Sequence, residues 1–200
     1  MHASLRVATP ADAAAIRSIY APYVESTAIT FETEVPTTEA MAERIEETHE
    51  QYPWLVCETD GEGIIGYATA SSLRSKAAYD WSVELTVYVA EDAQQAGVGT
   101  ALYAALLAIL REQGFVSAYA AVTRPNPASA RLHENQGFEP VGTFPAAGYK
   151  QGSWRDVQWW HRQLRDPPSE PDPPAAMAAI RDTPALEAAL GAGEAALKNG

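Results

Sequence analysis

Cysteine is nearly missing from this sequence. Cys57 is the single one, so no disulfide can form within the chain. Its place in the apolar run Trp54-Leu55-Val56-Cys57 suits a small buried residue rather than a nucleophile. Lysine is almost as scarce. Lys76, Lys150 and Lys198 are the only ones, among 14 basic residues set against 26 acidic ones. The net charge of −12 excludes the basic face that a nucleic-acid binder needs. An acidic, lysine-poor surface suits a cytoplasm at high salt, where screening keeps a strongly charged chain in solution. Long apolar runs are missing too. The stretch from Ala101 to Leu110 falls far short of the roughly 20 residues that cross a bilayer. No basic patch leads into an apolar segment at the start, so no signal peptide is expected. His2, His49 and His161 are scattered without the spacing of metal ligands, and no metal is expected. A cytoplasmic protein that touches neither membrane nor nucleic acid follows.

What is present centres on Trp81 to Leu110. Val83 to Val89 is rich in β-branched and aromatic residues and reads as a strand. Val98, Ala101, Leu102, Ala105, Leu106 and Ile109 repeat at the spacing of one helical face, and Gly114 supplies the stop. Between them, Gln94-Gln95-Ala96-Gly97-Val98-Gly99-Thr100 puts two glycines at a helix start. There the backbone can approach a ligand closely, and free N–H groups attract phosphate.

The rest of the chain builds around this unit. Ser4 to Ala8 reads as an opening strand. Thr9-Pro10-Ala11-Asp12 starts a helix with a capping box, expected to run to Ala21 and break at Pro22. Tyr23 to Pro36 is a loop long enough to reach a functional site. A second helix follows Thr37 or Thr38, ended by Pro53. Trp54 to Glu58 and Ile64 to Ser72 form a hairpin about Asp60-Gly61-Glu62-Gly63. Beyond the central unit come a strand from Phe115 to Val122, a short helix from Ala128 to Asn135, and a closing antiparallel pair, Phe138 to Tyr149 and Trp154 to Leu164. This order argues an α+β fold with a mixed, mostly antiparallel sheet flanked by helices. Residues 1–165 make the domain. Residues 166–200, a proline-rich linker and then an alanine-rich stretch with little to bury, read as a flexible appendage that truncation at Arg165 should remove without loss of activity.

The glycine loop is not a P-loop, since no lysine follows Gly99. It is not a dinucleotide fingerprint either, since Leu102 stands where a third small residue is needed. Gln94-Gln95-Ala96-Gly97-Val98-Gly99 resembles the pyrophosphate loop of the GCN5-related N-acetyltransferases (GNAT). Asn126 resembles that superfamily's cofactor-contacting asparagine, and Arg131 to Phe138 its short helix entering the next strand. Ala78 to Trp81, Glu84, Val87 to Val89, Arg131 to Glu134, Ala146 to Lys150, and Thr30 to Glu34 together resemble the phosphinothricin acetyltransferase branch. The likeness runs from Leu5 to Leu164.

The resemblance implies acetyl-CoA as co-substrate, held by Val87, Tyr88, Val89, residues Gln94 to Thr100, and Asn126. It also implies a homodimer. Transfer to an amine needs a neutral nitrogen, yet an α-amine has a pKa of about 8 and is mostly protonated. A base is therefore required. Glu84, an acid on an otherwise apolar strand beside the loop, is the first candidate, with its pKa expected to rise on burial. His133 is the second, able to take the amine's proton or protonate the thiolate. Which of the two is principal stays open. Arg74 and Lys76, in exchanged order relative to the branch, and Tyr79 are the candidates for gripping the acceptor's acidic groups, with Phe31 as an aromatic wall. The expected activity is direct acetyl transfer to the α-amine of a small amino acid or analogue, of the phosphinothricin or methionine sulfone and sulfoximine type. A protein N-terminus or a polyamine as acceptor, and a non-catalytic acetyl-CoA binder, are the alternatives.

Overall fold

The computed structural model describes residues 3–198. Its first half runs β1 (Ala3–Val7), a turn of 3-10 helix, α1 (Ala13–Ser26), α2 (Thr38–Thr48), β2 (Trp54–Thr59), β3 (Gly63–Ser72) and β4 (Ser82–Val89). The second half runs α3 (Val98–Gln113), β5 (Ser117–Thr123), α4 (Pro127–Asn135), β6 (Glu139–Lys150), β7 (Ser153–Gln163), α5 (Met177–Ile180) and α6 (Pro184–Lys198). The seven strands form one sheet in the order β1-β2-β3-β4-β5-β7-β6. Every neighbouring pair is antiparallel except β4 and β5. The fold is the expected α+β arrangement.

Strand alternation sorts the side chains into two cores. On β2, Leu55 and Cys57 join the larger core with α3, while Trp54 and Val56 join a smaller one with α1 and α2. β3 divides the same way, Ala68 and Ala70 to one side and Tyr67 to the other. The helical stripe read from the sequence is the buried face of α3, with Val98, Ala101, Leu102, Ala105, Leu106 and Ile109 all buried. Gly114 ends it in the left-handed conformation, φ 97°.

Two expectations are corrected. Pro22 does not break α1, which continues to Ser26. The turn beyond the proline is held from outside, by burial of Val24 and by the Tyr23 hydroxyl donating to the Val89 carbonyl at 2.5 Å. Those contacts outweigh the one backbone hydrogen bond that proline forfeits.

Nor does the chain after Arg165 hang free with little to bury. Met177, Ile180, Leu186 and Ala189 are buried in the larger core. The Ala175 backbone N–H donates to the Gln113 carbonyl at 2.7 Å, and the Gln113 amide donates to the Ala175 carbonyl at 2.8 Å. At the other end, the Glu194 carboxylate accepts the Leu5 N–H at 3.0 Å. Gly193 sits so close to α3 that a Cβ there would lie 2.7 Å from the Ala101 carbonyl oxygen and 3.0 Å from the Ala105 Cβ. The signal was present as small residues on α6 facing small residues on α3, Ala101 and Ala105, which let two helices approach closely. Read alone, an alanine-rich stretch shows too little apolar bulk to announce that it docks.

Candidate active site

The parallel pairing of β4 and β5 holds only for Ser82, Val83 and Glu84, opposite Ser117, Ala118 and Tyr119. Beyond Glu84 the two strands part, while β4 stays fully paired with β3. A cavity of about 370 Å³ opens in the gap, lined by Glu84 to Tyr88 on one side and Ala120 to Thr123 on the other. Glu84 stands where the strands begin to separate. Burial pushes its carboxyl above the ordinary range, with the Arg74 charge pulling the other way.

β4 leads through a 3-10 turn into the glycine loop. Gln95 and Gly97 both take left-handed backbone, φ 65° and 81°. Left-handed residues at a turn are the kind that can bring successive N–H groups into one anion-binding concavity. Among the described residues, none of the N–H groups from Gln95 to Thr100 donates to another group of the chain. Orphan donors on a helix N-terminus fit a diphosphate, and the open cleft next to them fits an extended arm. Gln94 is used differently, its side-chain amide donating to the Tyr23 hydroxyl at 3.1 Å. Gly99 serves packing too, since a Cβ there would lie 3.2 Å from Leu132 of α4.

Asn126 caps α4, its side-chain oxygen accepting the Ser129 N–H at 3.1 Å. Asn126 and His133 both line the cavity. His133 is buried and both of its nitrogens are engaged, one with the Tyr103 hydroxyl and one with the Ser129 carbonyl. Burial holds its pKa below the ordinary value.

The loop between α1 and α2 closes the front. Phe31 lines the cavity and presses against β6, where a Cβ on Gly148 would collide with its ring. The loop is fastened by the buried Lys150 ammonium, which donates to the Thr30 carbonyl at 2.9 Å, and by the Tyr20 and Thr30 hydroxyls at 2.7 Å.

The structure thus gathers Glu84, Val87, Tyr88, Asn126, His133 and Phe31 around one cavity. Val89 and the segment Gln94 to Thr100 lie beside it rather than in its lining. Arg74 lines a second, adjoining cavity of about 230 Å³ and lies over the Trp159 ring at 5.6 Å. Phe144 and Trp159 border both cavities. Lys76 and Tyr79 are exposed and line neither. Sequence reasoning missed Tyr103, Phe144, Lys150 and Trp159. A tyrosine inside a helix of alanine and leucine was the available sign, because a buried hydroxyl needs a partner. Among the described residues no cluster of His, Cys, Asp or Glu is placed to hold a metal ion. No helix among them is long and apolar enough to cross a membrane.

The chain is similar to known proteins over most of its length. The acetyltransferase (GNAT) domain family matches residues 5–159, ending before α5 and α6. A phosphinothricin N-acetyltransferase of Streptomyces viridochromogenes is 42% identical over 163 residues, 82% of this chain and 88% of that protein. An L-methionine sulfoximine/L-methionine sulfone acetyltransferase of Pseudomonas aeruginosa is 35% identical over 172 residues, 86% of this chain and 100% of that protein. The crystal structure of a GNAT phosphinothricin acetyltransferase from Sinorhizobium meliloti, in complex with acetyl-CoA, superposes with a TM-score of 0.81 at 32% identity. That superposition covers 88% of this chain and 99% of the other.

Proposed function

Since the chain belongs to the GNAT family of acetyltransferases, we propose that it moves the acetyl group of acetyl-CoA onto the α-amine of a small amino acid or amino-acid analogue. Phosphinothricin and methionine sulfone or sulfoximine head the acceptor classes, as the relatives' activities suggest. The observation that carries this reading is Glu84, a carboxylate with a raised pKa at the point where β4 and β5 part.

The free N–H groups from Gln95 to Thr100 hold the diphosphate of acetyl-CoA, and β4 beyond Glu84 offers unpaired backbone to its arm. Bound there, acetyl-CoA supplies the activated acyl carbon. Glu84 takes a proton from the acceptor's ammonium, which has no lone pair until that proton leaves. Backbone N–H near Val87 stabilises the negative charge that develops on the acyl oxygen. Cys57 takes no part, since it is buried and burial pushes its thiol up to about 11. Transfer is therefore direct. Arg74, beside the second cavity, favours an acceptor with an acidic group over a polyamine.

We assign the working form as a homodimer in the cytoplasm. The outer strand β6 exposes Val141, Phe144 and Tyr149, and Trp154 across the hairpin is 66% exposed. Such an apolar edge calls for a partner. Sedimentation of the wild-type chain should give a dimer and Trp154→Glu a monomer. A monomeric wild type refutes the assignment.

The catalytic reading is tested by supplying acetyl-CoA with a panel of amino-acid analogues and following free thiol release. Glu84→Gln should lower kcat by about 10²–10⁴ with little change in acetyl-CoA binding. Thiol release from no acceptor, or a Gln variant as fast as wild type, defeats it.

A further inference from the structure

Tyr103 of α3 has 1% of its surface exposed, and His133 of α4 has 2%. Tyr103 Oη lies 2.9 Å from His133 Nε2. The other ring nitrogen, Nδ1, lies 2.7 Å from the Ser129 carbonyl oxygen. A carbonyl can only accept, so Nδ1 carries a hydrogen. A neutral imidazole has one N–H, which leaves the lone pair on Nε2, and the tyrosine hydroxyl donates into it. Phe138 and Trp160 pack on the ring, with centroids at 5.3 and 5.8 Å. The titratable groups facing the pair are Glu84 and Tyr88 of β4, on the lining of the same cavity that Tyr103 and His133 reach. Burial keeps the imidazole neutral and holds the Tyr103 hydroxyl well above its ordinary value, so a free tyrosinate is disfavoured.

We propose that Tyr103 is a further catalytic residue of the transfer reaction, its hydroxyl carrying a proton between the cavity and the His133 Nε2 lone pair. This rests on the acetyltransferase reading above. The acceptor nitrogen enters as an ammonium and leaves as an amide, so it loses two protons. Glu84 takes the first and returns it to solvent. As the C–N bond forms, Tyr103 Oη takes the second while its own proton passes to Nε2, and the Ser129 carbonyl supports the resulting imidazolium at Nδ1. As the C–S bond breaks, Nε2 returns its proton to Oη and Oη delivers one to sulfur. One proton has moved from nitrogen to sulfur, and the pair is restored without a tyrosinate.

Tyr103→Phe keeps the ring that stacks on Phe138 and removes only the hydroxyl. The expected result is a fall in kcat of about a hundredfold with an unchanged KM for acetyl-CoA. The acid limb of the pH profile should also move to higher pH, because the lost hydroxyl had favoured the neutral ring. Nitrogen NMR of the resting wild-type enzyme should show His133 neutral at pH 7, with its hydrogen on Nδ1. An Nε2–H ring or an imidazolium at that pH overturns the proposal. So does a Phe variant with wild-type kcat, or one whose loss is the same at every pH. If the wild-type enzyme acetylates no amine offered, the acceptor reading fails, while the NMR result still decides the pairing.

Discussion

Glu84 sits where its charge costs stability. Its folded pKa is raised, so the folded chain holds that proton more tightly than the unfolded chain does. The ionised group therefore lowers stability once pH rises above the unfolded value of about 4.3. Glu84→Gln should raise the melting midpoint at pH 7, by about 2–4 °C for each kcal/mol recovered, and the gain should shrink on acidifying to pH 4. A Gln variant that melts below wild type at pH 7 contradicts this. Gly148 tests the proposed acceptor wall in a different way. A Cβ there meets only the far end of the Phe31 ring, which can swing aside. Gly148→Ala should leave the melting midpoint near wild type while raising KM for the acceptor several-fold and sparing KM for acetyl-CoA. Glu84 and His133 were legible as candidates because an acid in an apolar strand and a histidine after a capped helix start stand out in one dimension. Tyr103 and Lys150 were not. Each is defined by a partner on another element, His133 on α4 and the Thr30 carbonyl in the front loop.

At the scale of elements, local rules served wherever neighbours in sequence supply the interaction. The capping acid Asp12 accepts the Thr9 N–H at 2.7 Å, and the hairpin at Gly61 and Gly63 turns on left-handed backbone. They failed at Pro22 and along α6, where the deciding contacts come from Val89, Leu5 and Ala101. α6 holds a matched pair of glycines. Gly193→Leu should unseat the helix, since even a Cβ lies 2.7 Å from the Ala101 carbonyl. Gly191 has nothing within 4 Å of the same position, so Gly191→Ala should stabilise by about 0.5–1 kcal/mol. Thermal denaturation of both variants checks the contrast, and equal effects would refute the docked geometry. Burying Met177, Ile180 and Leu186 is worth about 1.5–3 kcal/mol each. That sum rivals the roughly 5–15 kcal/mol by which whole domains are stable. Truncation at Arg165 should therefore cost folding, and with it activity, against what composition alone suggests.

For the molecule as a whole, the order of elements carried the α+β class, but not the position of β7 between β5 and β6, nor the parting of the sheet. The parallel seam has a mechanical consequence. Among the described residues, three pairs, Ser82–Ser117, Val83–Ala118 and Glu84–Tyr119, form the only ladder between the half-sheet β1 to β4 and the half-sheet β5 to β7. Amides on the β5 side of β4 beyond Glu84 stand in the middle of the sheet without a strand partner. They should exchange with deuterium orders of magnitude faster than their neighbours bonded to β3, as groups outside a ladder do. Adding acetyl-CoA should slow them selectively. Uniform protection along β4 before any ligand is added would mean the seam is closed. In the binding mode we propose, acetyl-CoA would be the missing rung of the sheet: it would knit the two halves together, and the enzyme should be stiffest while its substrate is bound.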